Sequence, residues 1–296
     1  MSDFDDSRAW RGRFLIIAAA VFWSTSGFFA KAPIFSDWPL ESRGFMLAAW
    51  RALFAAALLV FFIKEVRWSW RLLPMMTFFT AMNWTFLNAM VCCEPTLAIW
   101  LQYTAPAWVF LLSWLLSGES PIRRDWPMLV FAGCGVALIL LATQRESDSW
   151  GLVYGLLSGL FFALVLLTLR WNRNFDAAWL VFLNNAATAL AFAPLVWAAG
   201  ILPQGSQWPY LLGFGGLQFA LPYIIFARGV RHISSHEASG LVLLEPILVP
   251  LWVFLAWRHS PDYSPPELST VAGAGLILLG LLLRYLPTPN YRALPS

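Results

Sequence analysis

Long apolar runs joined by short polar connections constrain this chain more than any other feature of its sequence. Ten can be drawn, at about 12–33, 44–63, 72–91, 97–116, 126–143, 150–169, 177–198, 208–227, 236–257 and 267–286. Each has about the 20 residues that an α-helix needs to cross a hydrocarbon core of roughly 30 Å. Barrel strands would alternate apolar and polar positions over about ten residues, whereas these runs are solidly apolar, so helices are the expected spanning structure. Composition agrees: 59% of residues are hydrophobic and 12% charged, against about 25% charged in an ordinary soluble domain. The chain therefore reads as an all-α integral membrane protein, which excludes nucleic-acid binding as a primary role. The first run, from Gly12 through Trp23 to Lys31, lacks the short apolar core and small-residue cleavage site of a secretory signal and is expected to be a retained span.

Charge placement orients the spans. With ten spans, Arg8, Arg11, Arg13, Lys64, Arg67, Arg71, Arg123, Arg124, Arg170, Arg173, Arg228, Arg231, Arg284 and Arg292 fall on the side of the N-terminus. Lys31, Arg43, Arg145 and Arg258 fall on the other side, and Arg51 lies inside the second span. Basic residues in short loops favour the cytoplasm, so both termini are expected there, with the chain multi-pass in a cell (inner/cytoplasmic) membrane. Tryptophans at predicted span ends, among them Trp38, Trp68, Trp70, Trp126, Trp150, Trp208 and Trp257, suit anchoring at the headgroup level. The three cysteines, Cys92, Cys93 and Cys134, match no metal-ligand spacing and no disulfide framework.

The halves overlay. Ala98, Leu101, Pro106, Val109 and Leu111 recur 140 positions later as Ala238, Leu241, Pro246, Val249 and Leu251. At nearly the same offset the first run overlays the sixth, Gly151 to Arg170. The unit is five helices, an odd number, so the second copy would enter the membrane from the opposite side. Such inverted repeats are common in secondary transporters. The expected division is a first five-helix repeat over 1–145 and a second over 146–296.

Several of these features carry a family resemblance that covers nearly the whole chain. They are Trp23-Ser24-Thr25-Ser26-Gly27-Phe28 in the first span, Arg51 in the second, and Ala98 to Pro106 leading to Leu115-Leu116-Ser117-Gly118-Glu119. In the second half they are His236-Glu237-Ala238-Ser239 and Leu244-Glu245-Pro246. Together with ten spans and both ends inside, they resemble the drug/metabolite transporter superfamily, in particular its ten-helix EamA-type members. The resemblance implies a basket of helices with a cavity between the halves, lined by helices one, three, four, six, eight and nine, with five and ten peripheral. It also implies transport of amino acids, nucleobases, sugars or related metabolites, often outward. One departure is that Arg258-His259 stands after the ninth helix where a copy of Gly118-Glu119 would be expected.

Within that frame Glu245 is the sharpest feature, because a carboxyl about ten residues into the ninth helix is expensive unless it faces polar protein or water. It could carry a proton, bind a substrate ammonium, or satisfy the helix break beside Pro246. Arg51 could snorkel, pair with a carboxylate or attract a substrate anion. Ser26, Asn83, Gln102 and Gln218 offer neutral hydrogen-bonding groups on spans expected to face the centre. Trp23, Trp100 and Tyr103 offer flat, apolar walls with a polar handle, and Tyr223 adds a polar residue to the eighth span. These nine residues other than Arg51, with Glu245 as coupling candidate, form the expected substrate site. Every one of them also admits ordinary helix packing. Pro106, Pro222, Pro246 and Pro250 are expected to interrupt their helices deep in the membrane as bends or partial breaks, and Gly213, Gly215 and Gly216 permit close helix approach.

The expected function is secondary active transport of small metabolites, amino acids or related compounds first, with export by alternating access. An importer or exchanger of nucleosides, nucleobases, sugars or quaternary amines is the alternative. No nucleotide-binding G-x-x-x-x-G-K-[ST] occurs, so ATP is not the expected energy source, and no cofactor or metal is called for. The three histidines do not gather at one membrane face as a membrane enzyme would require. The expected partners are a substrate, membrane lipids and, through Glu245, protons. No dedicated dimerisation signal is present, so a monomer is expected.

Overall fold

The computed structural model of the chain describes residues 2–117, 125–142, 149–233, 235–261 and 263–285. Glu119, Arg123, Arg124 and Arg145 lie outside the described residues. Among the described residues, fourteen α-helices occupy the ten apolar runs: α1 (Ser2–Ser24), α2 (Ser26–Ala30), α3 (Leu40–Leu59), α4 (Leu72–Cys92), α5 (Pro95–Gln102), α6 (Ala105–Ser117) and α7 (Asp125–Ala142), then α8 (Ser149–Trp171), α9 (Ala177–Ala199), α10 (Gln207–Gly213), α11 (Leu221–Gly229), α12 (Ser235–Val242), α13 (Leu244–Trp257) and α14 (Leu268–Tyr285). Among the described residues, seven stretches are long and apolar enough to cross a membrane: Ala9–Ala30, Leu40–Phe62, Pro95–Leu115, Ser149–Trp171, Ala177–Ala199, Gln207–Gly229 and Glu237–Trp257. Asp125–Leu141 and Leu268–Arg284 are apolar but shorter. The α4 segment is 21 residues long but carries Asn83, Asn88 and three threonines, and falls outside that set. The chain is an all-α, multi-pass membrane protein.

Proline placement explains the interruptions. Pro106 has no N–H to offer the Gln102 carbonyl, and the run 97–116 divides at Tyr103–Thr104 into α5 and α6. Pro246 likewise frees the Val242 carbonyl, and the run 236–257 divides at Leu243 into α12 and α13. The two breaks stand 140 residues apart, the offset at which the sequence identities recur. Pro194 and Pro250, in contrast, lie inside continuous helices. Between α10 and α11 the chain remains helical but widens into a π-helical stretch, Phe214–Ala220, ending beside Pro222. Such stretches are rare and occur frequently at functional sites.

Glycine seams bring particular helices together. Gly151, Gly155 and Gly159 fall four residues apart on one face of α8. A Cβ on Gly159 would sit 2.7 Å from the Leu101 carbonyl oxygen and 2.6 Å from Thr104 Oγ1, so the glycine lets the α5–α6 break lie against α8. Gly135 of α7 and Gly273 of α14 face each other's carbonyls at 2.6 and 2.7 Å by the same measure. These two helices pair closely, with Arg284 of α14 bound to Asp125 of α7 at 2.7 Å.

Three contacts stitch α1 and α2 to α12 and α13 along their length. Arg13 pairs with Glu237 at 2.6 Å, Trp252 Nε1 donates to Ser24 Oγ at 2.8 Å, and Trp257 Nε1 donates to the Phe28 carbonyl at 2.9 Å. Trp257 thus acts in packing rather than as a free interfacial anchor. Trp38 departs further from expectation: it is 1% exposed and lies against Phe35 in the core. Trp68, Trp70, Trp126, Trp150 and Trp208 are exposed, as anchors should be.

The start of α5 shows how a charged residue is used at a span end. Glu94 caps the helix, accepting from the N–H groups of Thr96 and Leu97 at 2.9 and 3.1 Å and from Thr96 Oγ1 at 2.5 Å. Burial pushes the Glu94 carboxyl above its ordinary pKa and holds the neighbouring Lys31 ammonium below its own. Lys31 also donates to the Val91 carbonyl at 3.1 Å. Glu94→Ala removes the cap and is expected to cost about 1 kcal/mol, visible as a lowered melting temperature of the detergent-purified protein.

Candidate functional site

Two polar assemblies lie deep in the helical bundle. The first is built around Arg51, which is 2% exposed in the middle of α3. Its Nη2 donates to Asn83 Oδ1 of α4, and its Nη1 approaches Gln218 Oε1 of the π-helical stretch at 3.4 Å. Gln218 in turn donates from Nε2 to the Trp23 carbonyl at 3.0 Å. Three elements therefore meet at one guanidinium, and Gln218 ties a fourth, α1, to it. Its planar face is enclosed by aromatic rings, with Phe219 at 4.8 Å, Phe214 at 5.0 Å and Phe86 at 6.0 Å from the central carbon. Such cation–π contacts partly replace the water that a buried cation has lost.

Gly215 is what lets α3 reach this position. A Cβ there would lie 2.6 Å from the Arg51 carbonyl oxygen and 2.8 Å from the Ala55 nitrogen. The π-helical stretch can therefore press its backbone onto that of α3, delivering Gln218 and two of the aromatic rings to the guanidinium.

The second assembly joins the two helix breaks. Tyr103 at the α5–α6 break donates its hydroxyl to Glu245 Oε2 at 2.8 Å. The same hydroxyl stands 3.4 Å from the Val242 carbonyl, the group that Pro246 leaves without its helical donor. Glu245 begins α13 immediately after the break. One phenol thus serves both polar groups exposed by the second interruption. Trp100 packs edge-on against Tyr103 at 6.2 Å. Arg51 and Glu245 act on each other electrostatically, as both do with Tyr223, but no ion pair within 4 Å joins them.

Aromatic contacts link the assemblies. Trp23 meets Tyr223 edge-on at 5.1 Å, and Tyr223 meets Phe219 at 5.1 Å. The structure accordingly brings Asn83, Gln218, Trp23 and Tyr223 around Arg51, and Tyr103, Trp100 and Glu245 around the breaks. Ser26 and Gln102 are buried in helices beside these groups, but neither side chain hydrogen-bonds to another member. Arg51 is the residue that the sequence left outside the expected site. Its depth in the second run was visible, but the direction in which that helix faces is set by Gly215 and the π-helical stretch, which have no strong local signature.

A buried acid at paired helix interruptions, with a buried cation nearby, is an arrangement that secondary carriers use. The particular family follows from comparison. A model of the EamA-like transporter family matches residues 10–141 and 149–286, and the chain belongs to that family. It is a secondary transporter of the drug/metabolite transporter group rather than an enzyme.

Among curated proteins, the chain is 26% identical over 203 residues to an uncharacterized transporter of Archaeoglobus fulgidus, covering 68% of this chain and 71% of the relative. It is also 26% identical over 184 residues to the pseudopaline exporter CntI of Pseudomonas aeruginosa strain UCBPP-PA14, covering 62% of this chain. That match spans 63% of the exporter's length, a little under two thirds. Uncharacterized transporter YxxF of Bacillus subtilis is 25% identical over 215 residues, covering 70% of this chain and 67% of the relative. A solved crystal structure shares the fold with a TM-score of 0.64, covering 93% of this chain and 97% of its own, at 15% identity.

Proposed function

We propose that this secondary transporter exports amino acids or closely related small metabolites by alternating access. The Tyr103–Glu245 hydrogen bond is the observation that carries this reading. It places an ionisable acid at the junction of two helix breaks, where an incoming ammonium or a proton can compete with the phenol. Glu245 is the coupling residue in this scheme. Trp23, Tyr223, Trp100 and Tyr103 supply aromatic walls, while Asn83, Gln218, Gln102 and Ser26 supply neutral polar groups. The exporter name carried by the Pseudomonas relative supports the outward direction.

The scheme uses ten spans arranged as two inverted five-helix repeats, 1–145 and 146–296, with both termini in the cytoplasm. Three things support it: the 140-residue offset of the identities, the same offset between the helix breaks, and the two matched stretches of the family model. The distribution of arginine and lysine supports the orientation. Substrate enters the centre from the cytoplasm, the two halves rearrange around it, and the site opens outward.

The test is uptake and counterflow in proteoliposomes with a panel of labelled amino acids, nucleosides and sugars. Saturable movement of at least one amino acid, accelerated by an imposed pH gradient, is expected. Movement of nucleosides or sugars alone would overturn the substrate class while leaving the carrier in place.

A further inference from the structure

We infer that Arg51 is a carboxylate-binding subsite, so that the transported molecule enters the centre carrying an anionic group. This deepens the proposed amino-acid reading and rests on it for the identity of the natural substrate, though not for the chemistry of the subsite.

A guanidinium carries five N–H donors and no acceptor. In this structure two of its groups are engaged, both with neutral amide oxygens: Nη2 with Asn83 and Nη1 with Gln218. Arg51 Nε is buried and has no acceptor. Because Arg51 can only donate, Asn83 must turn its oxygen toward it, and Asn83 Nδ2 is then also a buried donor without an acceptor. Two unpartnered donors therefore sit on side chains in direct contact with each other. Among the described residues no carboxylate lies within ion-pair distance of Arg51, and Glu245 is occupied by Tyr103.

A buried charge without a counter-ion is costly, and the usual remedy is an opposite charge that also satisfies the hydrogen bonds. What the unpartnered donors of Arg51 and Asn83 call for is an acceptor-only group with two oxygens. A carboxylate fits that description, and it forms paired, charge-assisted bonds with arginine. The aromatic rings over the guanidinium exclude water and so strengthen the attraction. With the carboxylate held at Arg51, a substrate ammonium has Glu245 as its opposite pole, and a zwitterion satisfies both.

The test uses benzoate and benzamide, which share a shape and differ in charge, with thermal shifts read on the detergent-purified full chain. Benzoate is expected to raise the melting temperature of the wild type, and benzamide to leave it unchanged. Arg51→Gln is expected to lose the benzoate response, and Arg51→Lys to weaken it at least tenfold in the concentration required, because a point charge cannot form the paired contact. Asn83→Asp provides an independent arm. It places a carboxylate beside Arg51 within the protein, so it should raise the melting temperature without ligand and abolish the benzoate response.

The inference is overturned if benzoate gives no shift up to tens of millimolar, if benzamide shifts the protein equally, or if Asn83→Asp responds to benzoate like the wild type. Benzoate binding through Arg51 without amino-acid transport leaves the subsite standing and removes the amino-acid reading. Amino-acid transport that survives Arg51→Gln unchanged does the reverse.

Discussion

Glu245→Gln is expected to abolish accumulation driven by a pH gradient while leaving the protein folded. Glutamine keeps an oxygen for the Tyr103 hydroxyl, so the contact between the helix breaks persists and stability should change by less than about 1 kcal/mol. What the amide loses is the capacity to take up and release a proton and to hold an ammonium by charge. Reconstituted Glu245→Gln should therefore show gradient-driven uptake at the level of empty liposomes. Any exchange that remains should no longer depend on pH. Tyr103→Phe isolates the other partner: losing a hydrogen bond to an acid costs about 1–3 kcal/mol, a roughly 5- to 150-fold effect on an equilibrium. Because that bond spans the two breaks, its loss should change the rate of transport more than the affinity for substrate. Gradient-driven accumulation by Glu245→Gln at wild-type rates would remove the acid from the coupling scheme.

The second large effect is expected from Gly215→Val. The added carbon atoms would meet the Arg51 carbonyl and the Ala55 nitrogen, both backbone groups that cannot swing aside. Overpacking of this kind commonly costs about 1–3 kcal/mol, and here the displaced helix also carries the guanidinium. The melting temperature should fall and benzoate should no longer stabilise the protein. Gly216→Ala is the matched comparison, since its added Cβ finds only the end of the Leu58 side chain, at 3.8 Å, and should be tolerated. Equal behaviour of the two variants would show that the backbone contact at Gly215 does not position Arg51.

The parts legible in the sequence were those governed by local chemistry. The apolar runs gave the helices, because hydrocarbon leaves the backbone no other way to satisfy its polar groups. Pro106 and Pro246 marked both breaks, but Pro250, expected to interrupt its helix in the same way, lies inside the continuous α13, so a missing N–H alone does not decide where a helix parts. Asn83, Gln218 and Glu245 were recognisable from polarity at depth alone. The facing of a helix was not legible, because it depends on what packs against it. Arg51 turned inward through the fit of Gly215 against α3, and Trp38 was drawn from an expected interfacial place into contact with Phe35. The π-helical stretch was equally hidden: its glycines were visible as a close-approach cluster, but not the widened turn that they form.

The two breaks also have a consequence for the resting behaviour of the carrier. At the 140-residue offset, Tyr103 corresponds to Leu243 and Ala105 to Glu245, so each half supplies a different end of the connecting bond. Once the breaks part, leucine and alanine cannot form a replacement. In the alternating-access scheme proposed above, two orientations that exchange the roles of the halves would then be unequal by about the worth of that bond, roughly 1.5–3 kcal/mol for a hydrogen bond to a charged group. Without a gradient or a substrate, the population would rest predominantly on one side of the membrane. The empty carrier would behave as a spring-loaded valve, returning to the same face after each release.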